Sequence, residues 1–536
     1  MAKFIILTSI LVFFPDYSAA LITRHPFVQP TDNMENSMGV AWRTDQLTGS
    51  KINYRKAGEQ TWSEIAAPVE FVVHQVEFST DPLEALESRN SEADYEFQVK
   101  SDNGAYSSTY SFKIKDYTFE YPWMAPLSDI RTSGLRKVWG PESVVVCVPH
   151  DDDRTIVNLK KKAPAGVQQV NFRYRKKGET SWRKEEAGNP ESRFYVKFTD
   201  LEPGTKYEYK VDNETTVNHF TTSSKDEDFS YRVLLLADNH FDAFGGTYTD
   251  RFNSCLPDLI AYEPHMVFHQ GDFAFGPGAW GASSEEYSTA MNNGKELFSN
   301  SILCVYLGNH DSDENSWAYG IAGDEFYFPV NGPNGLAGRD YIKEVVYSFN
   351  YGMVHFAPVT IANHPFGYSS AKGMADKPVE WLEMDLIKAI GNGARNIITG
   401  GHSMFPGSDY GVTPVINLLD KYNAAACFYG HLHAHHRSYP LYMGTNSIPA
   451  PTTQEPENYG TDVKGTVYQM IAATSFKMSP SPSNQFKLAS EGYGFSEMDI
   501  RKGGREIEVR TYTKSGHCTG PKTLIDRYVI NRDISV

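Results

Sequence analysis

Five short runs of polar residues carry the chemistry legible in this chain: Asp238-Asn239-His240, Gly271-Asp272, Gly308-Asn309-His310-Asp311, Gly400-Gly401-His402 and Gly430-His431-Leu432-His433. A carboxylate can bridge two cations and offset part of their mutual repulsion. Neutral imidazoles bind borderline metals such as Zn, Fe or Mn, and an amide oxygen adds a ligand without adding charge. Two cations held roughly 3.5 to 4 Å apart can clamp a phosphoryl oxygen and acidify a shared water, giving a hydroxide nucleophile near neutral pH. A lone Gly-His-x-His is weak evidence for such a centre. Five runs of donor residues in one chain, each in the same structural setting, are strong evidence.

That setting is the end of a buried strand. The apolar segments Val233 to Ala237, Met266 to Phe268, Ile302 to Leu307, Asn396 to Thr399 and Ala424 to Tyr429 each end at one of the runs. Their uninterrupted apolar character predicts strands buried on both faces. Segments such as Val379 to Ile390 predict amphipathic helices between them, so residues from about 225 onward read as an α/β domain. Loops at the carboxyl ends of neighbouring strands converge on one crevice, which brings residues distant in sequence together. Four of the five runs place a Gly before the donor, where it lets the chain turn sharply out of the strand.

The first part of the chain has a different rhythm, short alternating strands with turn residues, and it repeats itself. Tyr54-Arg55-Lys56, Gly58-Glu59 and Trp62 recur as Tyr174-Arg175-Lys176, Gly178-Glu179 and Trp182. Tyr95-Glu96-Phe97-Gln98-Val99 recurs as Tyr207-Glu208-Tyr209-Lys210-Val211, the second copy preceded by Leu201-Glu202-Pro203-Gly204-Thr205. The duplication predicts two homologous β-sandwiches, at 21–115 and 116–224, with Trp42, Trp62 and Trp182 as packing residues. The Leu-x-Pro-Gly-Thr-x-Tyr turn resembles that of fibronectin type III modules.

With 536 residues the chain is long enough for several domains, and its formal charge of −16 disfavours a generic nucleic-acid or anionic-membrane surface. Any anionic ligand must be held locally, by bound metal. Residues 1–20 have an early cation (Lys3), an apolar run and a small-residue end (Ser18, Ala19, Ala20), the pattern of a secretory signal. Five cysteines (Cys147, Cys255, Cys304, Cys427, Cys518) are too few for a disulfide scaffold; they leave room for a bridge and require at least one free thiol.

The order Asp-x-His, Gly-Asp, Gly-Asn-His-Asp, Gly-His, Gly-His-x-His resembles the calcineurin-like metallophosphoesterase superfamily. The closer resemblance is to purple acid phosphatases, supported by Tyr347 to Phe356 and by the run Leu418 to Pro440. The resemblance covers nearly the whole mature chain, since that family also places a fibronectin-like sandwich before its catalytic domain. It implies a multidomain fold: two N-terminal fibronectin type III-like β-sandwiches, then a metallophosphoesterase domain at 225–536 built as a four-layer α/β/β/α sandwich. It implies two divalent or mixed-valence metal ions (Fe, Zn or Mn). One site takes Asp238, Asp272 and His433, and the other shares Asp272 and adds Asn309, His402 and His431. His310 is then the catalytic residue, stabilising the transition state or protonating the leaving oxygen.

The chain departs from purple acid phosphatases at two positions that compensate each other. Phe275 stands where that family has a metal-binding Tyr, and His240 stands where it has Gly, so the His240 imidazole can fill the tyrosinate's coordination position. A colourless centre is expected. His269 reads as a core or supporting imidazole and His355 as structural. His435 and His436 also read as structural, with a phosphate-facing role left open, and His364 lies in an insertion near the crevice. The implied function is a secreted phosphatase that hydrolyses small-molecule phosphate monoesters by attack of a metal-bound hydroxide, with no nucleic-acid or membrane partner. The same metals would serve a phosphodiesterase or nucleotide pyrophosphatase, and an adhesion or ligand-binding protein over an inactive domain is the remaining alternative. The sequence sets no oligomeric state.

Overall fold

The computed structural model describes residues 21–45, 47, 49–79, 92–115, 144–147, 156–176, 178–211, 214–241, 247–275, 284–308, 310–311, 325–333, 346–358, 376–402, 413–442, 445–446, 457–474, 486–490 and 492–534. The expected signal at 1–20 lies outside these, as do Asn309 and His364.

All five expected buried strands form. Tyr231–Leu236, Met266–Gln270 and Ile302–Tyr306 run parallel in one sheet, with Val233 beside Met266 and Met266 beside Ile302. Tyr493–Arg501, Glu506–Lys514 and Lys522–Asn531 extend it antiparallel on the side of Tyr231. A second sheet holds Val354–Pro358, Asn396–Gly401, Ala426–Tyr429 and Thr466–Met470 in parallel, with His435–Tyr442 antiparallel to the last. The two sheets meet through Phe268 and Phe356, whose rings cross at 72° with centroids 5.4 Å apart. Helices Thr247–Ala261, Asp376–Gly391 and Thr413–Lys421 connect the strands. Met266–Gln270 and Ile302–Tyr306 are buried at every residue, the signature of strands covered on both faces. Lys206–Val211 instead alternates buried and accessible residues, as a strand with one covered face must.

The N-terminal region forms the expected short strands, but its sheets do not divide at 115/116. Ser50–Lys56, from the first repeat, pairs with Lys206–Val211 from the second, Tyr54 opposite Tyr209. Glu92–Ser101, from the first repeat, pairs with Val170–Lys176 from the second, Phe97 opposite Tyr174. Strands of 22–67 therefore assemble with those of 188–221, and strands of 71–115 with those of 144–186. Phe71–Ser79 and Gly188–Phe198 pair antiparallel and join the two assemblies edge to edge. Exchange of this kind costs no pattern match, because equivalent strands of a duplicated sequence bury equivalent faces. The repeated Arg and Trp residues also make a repeated contact: Arg55 stacks over Trp62 at 4.2 Å and Arg175 over Trp182 at 4.3 Å. Trp42 is fully buried and stacked on Phe194, in keeping with a packing role.

The expected boundary at 225 is crossed as well. Ile22–Gln29 lies parallel to Ile302–Tyr306 through Val28 and Ile302, so one sheet runs from the N-terminal strands into the α/β region. Beside this junction Glu325 is fully buried between Arg24 and Arg43; Arg43 Nη2 donates to Glu325 Oε2 at 2.7 Å and its Nη1 to Glu191 Oε2 at 3.2 Å. Arg24 also donates to Ser288 Oγ, at 2.6 Å from Nη2. Cys255 and Cys518 form a disulfide between the helix Thr247–Ala261 and the C-terminal strands, while Cys304 and Cys427 are free and buried.

Candidate metal centre

Asp238 and His240 follow the strand Tyr231–Leu236, and Asp272 follows Met266–Gln270. The parallel pairing of these strands continues beyond their ends: Asp238 N donates to Gly271 O at 3.0 Å, His240 N to Asp272 O at 3.1 Å and Phe241 N to Phe273 O at 3.1 Å. The two loops are thus locked together before any side chain is considered. Asp311 adds a cross-link. Its carboxylate accepts from Gly308 N at 2.8 Å, from Phe273 N and Ala274 N at 3.1 Å each, and from Tyr287 Oη at 3.0 Å.

Six of the seven expected metal-ligating residues come together. Asp238, His240, Asp272 and His433 form one group, and Asp272, His402 and His431 another, with the donor atoms of each group within 4.8 Å of one another. Asp272 belongs to both, the position a bridging carboxylate requires. His402 Nε2 lies 3.0 Å from Asp272 Oδ2 and 3.8 Å from Asp238 Oδ1, and His433 Nε2 lies 3.6 Å from Asp238 Oδ1. His240 Nε2 is 3.8 Å from Asp272 Oδ2 and 3.1 Å from His433 Nε2. The floor of the site, Asp238, His240, Asp272 and His402, is buried, whereas His310, His431 and His433 are partly exposed and form its mouth.

The backbone pays for this convergence. Asp238, His240, Asp272, His431 and His433 all have positive φ, at 50°, 48°, 53°, 87° and 52°. The left-handed region costs a non-glycine residue about 1–3 kcal/mol and persists only where surrounding structure enforces it. Two glycines serve closeness of approach as well as turning. A Cβ on Gly271, itself at φ +90°, would sit 2.6 Å from His402 Nδ1, and one on Gly308 would sit 2.1 Å from Asp272 Oδ1.

The electrostatics fit cation binding. Burial, together with the charge of Asp272, pushes the Asp238 carboxyl well above its usual range. Burial resists ionisation of Asp272, but His402 and the neighbouring imidazoles outweigh it and hold that carboxyl well below its usual range. Burial lowers His433 to about 3 and His431 to about 4, and it takes His240 well below its ordinary value. His402 goes up to about 9, because Asp272 and Asp238 overcome its burial. His240 Nε2 and His433 Nε2 lie within hydrogen-bonding distance, and among the described residues the buried His240 Nδ1 has no hydrogen-bonding partner. Imidazoles converging on two carboxylates are a donor set for divalent ions once His402 gives up its proton to metal binding.

Around this centre, His402 is oriented by donating from Nδ1 to Gln270 O at 2.9 Å. Asn239 is held between Thr474 Oγ1 at 2.5 Å and His269 Nε2 at 2.6 Å, which gives His269 the supporting position expected of it. His355 is bonded to Asn350 and Asp385, away from the centre. His435 and His436 are buried on the strand His435–Tyr442. Phe275 lies at the mouth, its ring edge-on to His240 with centroids 5.9 Å apart. The cross-linking role of Asp311 was not assigned from sequence, although its place directly after Gly-Asn-His was the available signal. The roles of Asn239 and Gln270 had no local signal.

Known proteins resemble this chain in domain and fold. The family model of the calcineurin-like phosphoesterases matches residues 231–435. Among curated proteins, purple acid phosphatase 15 of Arabidopsis thaliana is 24% identical over 314 residues, covering 52% of this chain and 52% of the relative. The chain thus spans about half the length of the curated relative it matches. Among solved structures, purple acid phosphatase PPD1 from yellow lupin (Lupinus luteus) seeds superposes with a TM-score of 0.57 at 14% identity, covering 95% of this chain and 75% of that one. At that identity the likeness concerns the fold. The chain carries a calcineurin-like phosphoesterase domain, and the resemblance read from its five motifs holds.

Proposed function

We propose that this protein is a metal-dependent phosphoric ester hydrolase acting on small phosphate monoesters. The observation that carries this reading is the meeting of Asp238, His240, Asp272, His402, His431 and His433 in two donor groups that share Asp272, within a calcineurin-like domain. The first group would hold one ion and the second another, with Asn309 completing the second. When bound, such a pair supplies positive charge to the phosphoryl oxygens and lowers the pKa of a coordinated water.

The chain's own residues do the rest. Asp311 and the zipped loops hold the donors in place. His310, partly exposed at the mouth and fixed by its N–H to Asp272 Oδ1 at 2.8 Å, delivers a proton to the leaving oxygen or steadies the transition-state charge. His240 takes the place of the tyrosinate, and Phe275 lines the mouth.

The relatives' names, purple acid phosphatases, favour a phosphatase over a diesterase. The remaining parts of the reading are secretion through residues 1–20, a fibronectin-like character of the N-terminal sheets and a four-layer α/β/β/α arrangement of the catalytic region. Among the described residues no helix is long and apolar enough to cross a membrane. The test is elemental analysis of the purified protein together with turnover of an aryl phosphate monoester, a bis-aryl diester and a nucleotide. Monoester turnover with two metals per chain is expected. Preference for the diester or nucleotide would move the assignment to a diesterase, and absence of both metal and turnover after reconstitution would end it.

A further inference from the structure

His310 is held at several points that the hydrolytic reading does not explain. Its ring Nδ1 donates to the main-chain carbonyl of Phe275, and the Phe275 ring stacks on it with centroids 5.6 Å apart and planes 20° from parallel. On another side the ring meets His240 edge-on, at 4.7 Å and 85°. The Phe275 carbonyl is itself anchored: Phe275 N donates to Phe241 O at 3.2 Å, beside the bridge between Phe241 and Ala274. A carbonyl oxygen only accepts, so Nδ1 carries the proton of this hydrogen bond and Nε2 is left as the ring's other nitrogen.

We propose that Phe275 is a positioning residue for His310, its carbonyl selecting the Nδ1–H form and its ring fixing the plane of the imidazole so that Nε2 serves the leaving group. The proposal rests on the hydrolase reading above. In the step it supports, water's oxygen bonds to phosphorus, its protons staying with the phosphate product, while the bond from phosphorus to the leaving oxygen breaks, its electron pair staying on that oxygen. The proton on His310 Nε2 moves to the leaving oxygen, and the imidazolium becomes neutral imidazole. A poor leaving group needs that proton as the bond breaks, whereas a nitrophenolate departs without it. Positioning of a general acid therefore appears as a leaving-group dependence, which a uniform structural loss does not produce.

The experiment compares the full-length protein with Phe275→Leu, which removes the stack, and Phe275→Trp, which keeps an aromatic face without adding a phenol. Turnover of a simple alkyl phosphate and of 4-nitrophenyl phosphate is measured on each, with metal content and thermal melting as controls. For Phe275→Leu, kcat on the alkyl phosphate should fall about tenfold or more while kcat on 4-nitrophenyl phosphate changes less than about threefold, with metal content unchanged. Phe275→Trp should recover part of the alkyl phosphate rate that Phe275→Leu loses. Equal losses on the two substrates, or none, would overturn the proposal. A second readout needs no turnover. In protein carrying ¹⁵N-labelled histidine, the His310 ring, identified by its absence from His310→Ala, should report Nδ1–H in wild type and also in Phe275→Leu, whose main-chain carbonyl at 275 is unchanged. An Nε2–H ring in wild type would refute the positioning role whether or not the chain hydrolyses esters, and failure of wild type to hydrolyse any ester would count against the function alone.

Discussion

Among the described residues, two of the buried clusters of charge are built on opposite principles. At the seam between the N-terminal strands and the α/β region, Arg24 and Arg43 face Glu325 and Glu191, and each charge has its complement within the cluster. Glu325, despite full burial, is held down to about 2 by Arg24 and Arg43. In the crevice four imidazoles and two carboxylates aim donor atoms at one another, with five of the six on strained backbone, and His402 is drawn toward Asp272 and Asp238. The seam pairs its charges. The crevice is arranged for something the chain does not encode, and its strain is tolerated because zipped loops and Asp311 enforce it. The comparison teaches that burial of charge alone does not mark a functional site; convergence of several donor atoms on strained backbone does.

The contrast can be broken most severely at Asp272. Asp272→Ala should abolish turnover and release both metals, since the shared carboxylate belongs to both groups; elemental analysis and assay check this, and near-normal turnover with metals retained would refute the assignment. At the seam, Glu325→Gln leaves two buried guanidinium groups short of a counter-charge and should cost about 3–5 kcal/mol in denaturant unfolding, with metal content per folded molecule unchanged. The pH dependence follows in sign. Because the folded value of Glu325 lies below its ordinary 4.5, its stabilisation is fully present above that pH and is lost as pH falls toward about 2; the mutant should lack this acid-side loss.

His310→Ala should reduce kcat by about 10² with both metals kept, separating the mouth of the crevice from its floor. Chelation sharpens the comparison further. Removing metal should lower the melting temperature of wild type by linkage but not that of Asp272→Ala, whereas a seam mutant should respond as wild type does. The smallest effect concerns colour. With Phe275 beside His240 and no phenol at that position, the iron-reconstituted protein should lack an intense red-purple band, and such a band in the visible spectrum would show a tyrosinate ligand after all.

Much of the crevice was legible in the sequence because each of its signals is local. An apolar run, a turn residue and a donor side chain lie within a few positions of one another, and the strand ends at Leu236, Gln270, Tyr306, Gly401 and Tyr429 fall within a few residues of expectation. The duplicated region was legible as strands but not as an assembly. Tyr54 and Tyr174 stand in repeated segments of the same pattern, and nothing in either copy says that Tyr54 will face Tyr209 while Tyr174 faces Phe97. The seam was invisible for a related reason. Arg24 and Glu325 are separated by 301 positions, and each alone reads as a solvated charge.

By itself, then, the sequence determined which side chains could ligate, in what order they occur and that strands would carry them, because alternation, apolar runs and turn residues act over a few bonds. Only the tertiary structure decided which strands exchange partners, which charges cancel and which carbonyl holds His310. Those outcomes depend on contacts between distant segments, where several pairings satisfy the same local pattern and only the packing of the whole chain selects among them.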